Sequence, residues 1–219
     1  MKFIRNNWFY LGMVFFACLS FGAVLWGREL DAVQTVLLFS LMALPLHQFE
    51  EYAFPGGGPV VINRVFYGEQ ELYRRYPGNW NSVMIVNLSA YVFYILALAL
   101  PNLTWLGIAT MLFNAYQVLG HGVQMNVKMK TWYNPGMATS LLLFLPISAW
   151  YFFLVASQGL ASGADWALGA LGFVAIAALT VVLPVQGLKR KDSPYDVPQW
   201  QVDQLEKVRA FAQIGAKRG

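Results

Sequence analysis

From Trp8 to Gly27 the chain runs for 20 residues without a charged side chain. At a rise of about 1.5 Å per residue, a helix of that length crosses a hydrocarbon core of roughly 30 Å. Further apolar runs follow at about 33–54, 81–100, 103–127, 137–157 and 166–188. Lipid offers no partner to backbone N–H and C=O groups, so segments of this kind must be helical or closed into a barrel. None of them alternates with the period of two that a barrel strand needs. The sequence therefore predicts an all-α fold, a polytopic membrane helical bundle of six transmembrane helices. Charged residues are only 12% of the chain, against about 25% in soluble domains. The first run is long enough to span and lacks a small-residue cleavage site, so it is expected to be retained.

Charge patterning orients the bundle. Fourteen of the 15 Lys and Arg residues lie before Trp8, within 54–80, within 128–135 or beyond Leu188, and only Arg28 falls in the alternate loops. By the positive-inside rule, both termini and the two longer loops are expected in the cytoplasm. The expected organisation is a six-helix transmembrane domain over 1–188 and a basic cytoplasmic tail over 189–219, weakly amphipathic across 199–212 and lying at headgroup level. Residues 60–76 mix apolar and charged groups and are expected to lie on the membrane surface or to cap a site. The basic residues sit at helix ends and in the tail, which argues for membrane lipids as partners and against nucleic acid. Cys18, the only cysteine, excludes an internal disulfide.

Against this apolar background, His47-Gln48-Phe49-Glu50-Glu51 stands inside the second run. Central charges in spanning helices cost roughly 2.5–3.5 kcal/mol each on insertion scales, so groups of this kind mark function by default. On a helix, Glu50 and Glu51 follow His47 at three and four residues and flank the imidazole. Pro45 just before the motif is expected to kink the helix. In the fourth run Asn114, Gln117, His121 and Gln124 recur at spacings of three and four, one polar stripe that must face protein or a cavity. The topology puts His47, His121 and Asn87 at a similar depth in the cytoplasmic half, near Tyr133, Asn134 and Thr139 at the start of the fifth run. The bland readings are an interfacial helix end for His47, Glu50 and Glu51, and interhelical hydrogen bonding for the amides.

His47-Gln48-Phe49-Glu50-Glu51, Phe54-Pro55, a distal His121 and the Tyr133-Asn134-Pro135-Gly136 segment together resemble the HXXEE domain family of bacterial integral membrane proteins. The resemblance extends through about Leu145 and implies the bacterial cytoplasmic membrane. It implies no activity. His47, Glu50 and Glu51 carry over as the motif residues, His121 and Asn134 more loosely.

Two functions fit these residues. The first is a metal-dependent membrane enzyme, hydrolase-like, acting on a lipid or lipid-linked substrate at the cytoplasmic leaflet. His47, His121 and one of the two glutamates, Glu51 before Glu50, would hold a divalent ion, zinc before iron or manganese, and leave a position open, with the sequence alone not separating the two acids. Glu50 would be the general base, and Asn87 or Asn134 would stabilise an oxyanion. The second is a proton-coupled transporter with a His/Glu relay. Haem held between His47 and His121 ranks below both, since it leaves the two glutamates without a role.

Overall fold

The computed structural model describes residues 1–215. Every element of secondary structure among them is helical, apart from one isolated bridge between Thr131 and Gln213. The first rod, α1 (Lys2–Trp26), is followed by a 3-10 turn at Gly27–Glu29. Asp31 then starts α2 (Ala32–Tyr52) with a reciprocal capping box to Gln34, a device that satisfies two orphan amides. A short α3 (Gly58–Val61) runs into a π turn, Ile62–Phe66. Asn79 and Ser82 form a second capping box at the start of α4 (Trp80–Ala99).

The next three rods each contain a π turn. α5 (Thr104–Leu119) continues through Gly120–Gln124 into α6 (Met125–Met129). α7 (Met137–Thr139) continues through Ser140–Phe144 into α8 (Leu145–Ser157). α9 (Gly163–Ala177) continues through Ala178–Val182 into α10 (Leu183–Leu188). The chain ends in α11 (Gln199–Ala212).

Five of these rods are long and apolar enough to cross a membrane: 2–29, 32–52, 80–99, 137–157 and 163–188. The 104–129 rod is not one of them, because the stripe of Asn114, Gln117, His121 and Gln124 lowers its hydropathy. Its neighbours cover its first half, where residues 106–111, Phe113 and Asn114 are buried. Asn114 is fully buried, donating to Ser40 Oγ at 2.9 Å and accepting from the Tyr94 hydroxyl. On the opposite side α9 comes so close that a Cβ on Gly169 would strike Ile108, and one on Gly172 would sit 3.1 Å from Ala109 Cβ. Small residues at such crossings let helices pack where lipid supplies no hydrophobic drive.

The two most buried rods are therefore the polar ones, and α1 shows the reverse: only Trp8, Phe9 and Gly12 of it are buried. Pro45 lies inside α2, which continues as one helix past it, with Gly12 of α1 packed against the proline ring.

One end of the bundle gathers the start of α1, the 58–79 segment, the 130–136 loop and the tail. Trp80 Nε1 donates to Asn6, Val197 N to Arg74 O, and Ile214 N to Lys130 O. Arg64 pairs with Glu206 at 2.7 Å and Arg75 with Asp196 at 2.8 Å. Helix α11 buries Val202, Leu205, Val208 and Ala212 against this end. Gln201 ties it to the motif helix, accepting from Gly57 N and donating to Tyr52 O. Gly57, at φ +101°, has Leu205 where a Cβ would stand.

Candidate metal centre

The polar centre lies on the turn of α2 nearest this gathered end. His47 and Glu51 are one helical turn apart, and both face the π turn that carries His121. The imidazoles of His47 and His121 are 4.9 Å apart and nearly perpendicular. Glu51 Oε2 lies 3.7 Å from His47 Nε2, and Oε1 lies 3.3 Å from His121 Nε2. Taking one ligand atom from each residue, the three fall within 4.8 Å of one another. Zinc–ligand bonds of 2.0–2.2 Å in a tetrahedron put ligand atoms about 3.4 Å apart. Small rotations of the side chains close the remaining distance.

The far side of each ring fixes which nitrogen faces inward. Asn134 is fully buried, and its Nδ2 donates to His121 O and to Asn126 Oδ1, both at 2.7 Å. The backbone carbonyl can only accept, so the Asn134 amide orientation is determined. Its Oδ1 then accepts from His121 Nδ1–H at 2.9 Å. His47 Nδ1 meets Thr139 Oγ1 at 3.0 Å. The Thr139 hydroxyl donates to Glu50 Oε2, so its oxygen accepts the His47 Nδ1–H. In the neutral rings both Nε2 atoms therefore present lone pairs, the arrangement by which outer partners prepare histidines for a metal.

Three acceptors now converge: two Nε2 lone pairs and the Glu51 carboxylate. His47 Nε2 is buried without a hydrogen-bond partner. The polar neighbours of the Glu51 carboxylate are the two imidazoles and the Tyr52 hydroxyl. Buried acceptors facing one another repel and cost several kcal/mol unless a cation or proton joins them. Two nitrogens and one carboxylate oxygen are also a ligand set used by catalytic zinc. The residues fit a divalent ion.

Glu50 does not join this group. Its side chain turns the other way around α2, onto the start of the 137–157 rod. Tyr133 Oη, Ala138 N, Thr139 N and Thr139 Oγ1 all donate to it, at 2.5–3.0 Å. Four donors match the four or so acceptor sites of a carboxylate, and the positive end of the helix favours its charge. Burial, with Glu50 beside it, pushes the Tyr133 hydroxyl well above the usual tyrosine range, which keeps it a donor. Asn87 is likewise committed, since Nδ2 donates to Tyr52 Oη at 3.0 Å and to Val83 O at 2.9 Å. Neither amide expected to serve as an oxyanion donor, Asn87 or Asn134, has an N–H left over.

Gly136, at φ +95°, closes the site from above. A Cβ there would lie 2.5 Å from His121 Cε1 and 2.9 Å from Glu51 Cγ. A cavity of about 330 Å³ opens on the other side of the ligand atoms. His47, Glu51 and His121 line it, and so do Gln117 and Gln124, which stand four before and three after His121. All four π turns border this region. Ile62, Gly120, His121 and Val181 line the cavity, and Phe144 packs on the His47 ring at 4.9 Å. Such turns shift the helix register by one residue and concentrate at functional sites. The chain spacing gives no sign of them.

A family model described as "Protein of unknown function with HXXEE motif" matches residues 38–151, just over half of the chain. The matched span begins in α2, ends in α8, and contains His47, Glu50, Glu51, His121, Asn134 and Thr139. The chain belongs to that family. No curated protein and no solved structure matches it.

Proposed function

We propose that this member of the HXXEE family is a divalent-metal-dependent membrane enzyme, hydrolase-like, whose substrate is a lipid or lipid-linked group. The convergence of His47 Nε2, buried without a hydrogen-bond partner, with His121 Nε2 and the Glu51 carboxylate on one buried point carries the reading. His47 Nε2, His121 Nε2 and a Glu51 oxygen would hold the ion, zinc before iron or manganese. An ion held by three protein ligands polarises a carbonyl or phosphoryl oxygen and activates water. In this assignment Glu50 is not the general base. It anchors α7 and orients Thr139, and through it His47, while Asn134 orients His121. Gln117 and Gln124 are the donors placed to meet a substrate oxygen. The 104–129 rod is proposed as a sixth span, packed against the 80–99, 137–157 and 163–188 rods on one side and open on the face of Leu119, Val123 and Val127. With it the chain crosses an even number of times, and the gathered basic end, with both termini, faces the cytoplasm.

Elemental analysis after purification with added zinc tests the reading. One ion per chain is expected in the wild type, and well under a tenth of that in His47→Ala, His121→Ala and Glu51→Gln. Wild-type protein without metal, yet folded by size exclusion, refutes it. The chain from half-buried Tyr133 through Glu50 and Thr139 to His47 favours a second reading, a proton relay in a carrier. That reading expects proton-coupled flux in vesicles and no bound metal.

A further inference from the structure

The cavity beside the three ligand atoms has a defined polarity. Toward the gathered end it is roofed by Pro59, Ile62 and Phe66, which follow α2 in the chain. Toward the middle of the bundle it is walled by Leu44, Ala90 and Phe113. Leu44 and Ala90 lie about one turn deeper than His47 and Asn87, at 1.5 Å per residue. His47, Glu51 and His121 thus sit above a mainly apolar chamber that points toward the bilayer centre, with Gln117 on its wall one turn deeper. A lipid of the same leaflet has this orientation, head outward and chain inward.

Size and charge narrow the occupant. At about 30 Å³ for a water-sized group, 330 Å³ holds roughly ten such groups. No Lys or Arg is found among the described residues that line the cavity, whose polar groups are amides, phenols, the two imidazoles and Glu51. Phosphate recognition relies on Arg, Lys or clustered backbone N–H groups; of the basic residues nearby, Arg64 pairs with Glu206, Arg75 with Asp196, and Lys128 lies on the ring face of Phe66 without lining the cavity.

We propose that the cavity takes a neutral single-chain amphiphile of about ten carbons, an ester, amide or alcohol, with its polar group at His47, Glu51 and His121 and its chain against Leu44, Ala90 and Phe113. The proposal deepens the enzyme reading above and rests on it for the reaction, but the binding can be read without any metal.

The probe is a diazirine-bearing ten-carbon alcohol, photolysed with the full chain in nanodiscs, as purified and after EDTA treatment. Labelled peptides are mapped by mass spectrometry. Labelling is expected on the α4 segment holding Val86 and Ala90, with decan-1-ol competing at least tenfold better than decyl phosphate in both states. Ala90→Phe, which fills the chamber, should cut labelling tenfold or more and leave the metal content unchanged. Val185→Trp, which narrows the same cavity from α10, is the second variant if the first does not fold. Labelling spread over the outer surface and insensitive to both variants overturns the proposal, as does decyl phosphate competing equally well in either state. If the wild type binds no metal but is labelled as expected, the metal reading falls while the binding site stands.

Discussion

Replacing Thr139 with valine is the cleanest probe of how this centre is built, because the shape of the side chain is conserved and only its hydroxyl is lost. Two hydrogen bonds go with it: the donation to Glu50 Oε2 and the acceptance from His47 Nδ1 at 3.0 Å. The Thr139 N–H still reaches Glu50 Oε2 at 2.7 Å, so the helix cap survives. A hydrogen bond to a charged group is worth about 1.5–3 kcal/mol, and an unsatisfied buried donor costs about 1–3 kcal/mol. Ser140 Oγ, 3.5 Å from the same nitrogen, offers weak compensation, so a total near the lower end, about 3 kcal/mol, is expected. Thermal denaturation in detergent should then fall by roughly 6–12 °C for a chain of this size. Loss of an outer partner of a metal histidine costs about 10–100-fold in affinity. Competition against a chromophoric zinc chelator should therefore weaken by about tenfold in Thr139→Val and recover in Thr139→Ser. Zinc affinity within twofold of wild type in Thr139→Val would refute the argument that Thr139 selects the metal-binding tautomer of His47.

Glu50→Gln should unfold at a markedly lower temperature, by about 2–4 kcal/mol, because its amide meets donors where the carboxylate met four; a catalytic loss at unchanged thermal stability would restore Glu50 as a base. Gly136→Ala is expected to lose bound metal in elemental analysis, since the left-handed backbone adds about 1–3 kcal/mol of strain and the methyl strikes His121 and Glu51. Normal stoichiometry there would show that the 133–136 loop moves freely over the site. On a Cys18→Ala background, Lys191→Cys should react with a membrane-impermeant maleimide only from the cytoplasmic side and Gln158→Cys only from the other. The reverse pattern would invert the proposed topology.

Much of this was legible in the sequence. Apolar runs bounded by Asp31 and Asn79 mark rods because lipid leaves the backbone no alternative to a helix. His47 and His121 were recognisable as one layer because charge counting and motif position set their depths independently. The roles of the polar residues were less visible, since depth says nothing about azimuth. Asn87 and Asn134 have the right chemistry for an oxyanion, but the structure spends their N–H groups on Tyr52, Val83, His121 and Asn126. The polar stripe likewise divides: Asn114 joins Ser40 and Tyr94 between helices, while Gln117 and Gln124 face the cavity. The π turn at Gly120–Gln124 advances the helix face at His121, and no periodicity of 3.6 forecasts it. Gln201 comes from a tail whose composition suggested only a surface helix.

The spacing of the motif itself now has a physical account. At 3.6 residues per turn, Glu50 lies about 60° to one side of His47 and Glu51 about 40° to the other, while Gln48 is about 100° around. One turn of α2 thus faces three neighbours. Gln48 donates to Asn87 O of α4 and accepts from the Tyr91 hydroxyl, Glu50 caps α7, and Glu51 with His47 meets His121. Adjacent buried carboxylates would repel if both faced one space. Here the charge of Glu50 is answered by two backbone amides, Tyr133 and Thr139, while Glu51 faces two imidazoles and the Tyr52 hydroxyl. Neutral rings presenting Nε2 lone pairs cannot answer that charge. The same helix turn that satisfies the first glutamate leaves, at the second, a charge that a cation or a proton answers in the proposed reading. In the proposed reading His-x-x-Glu-Glu uses both acids: one holds the scaffold and, through Thr139, the imidazole, and the other supplies the charge at the centre.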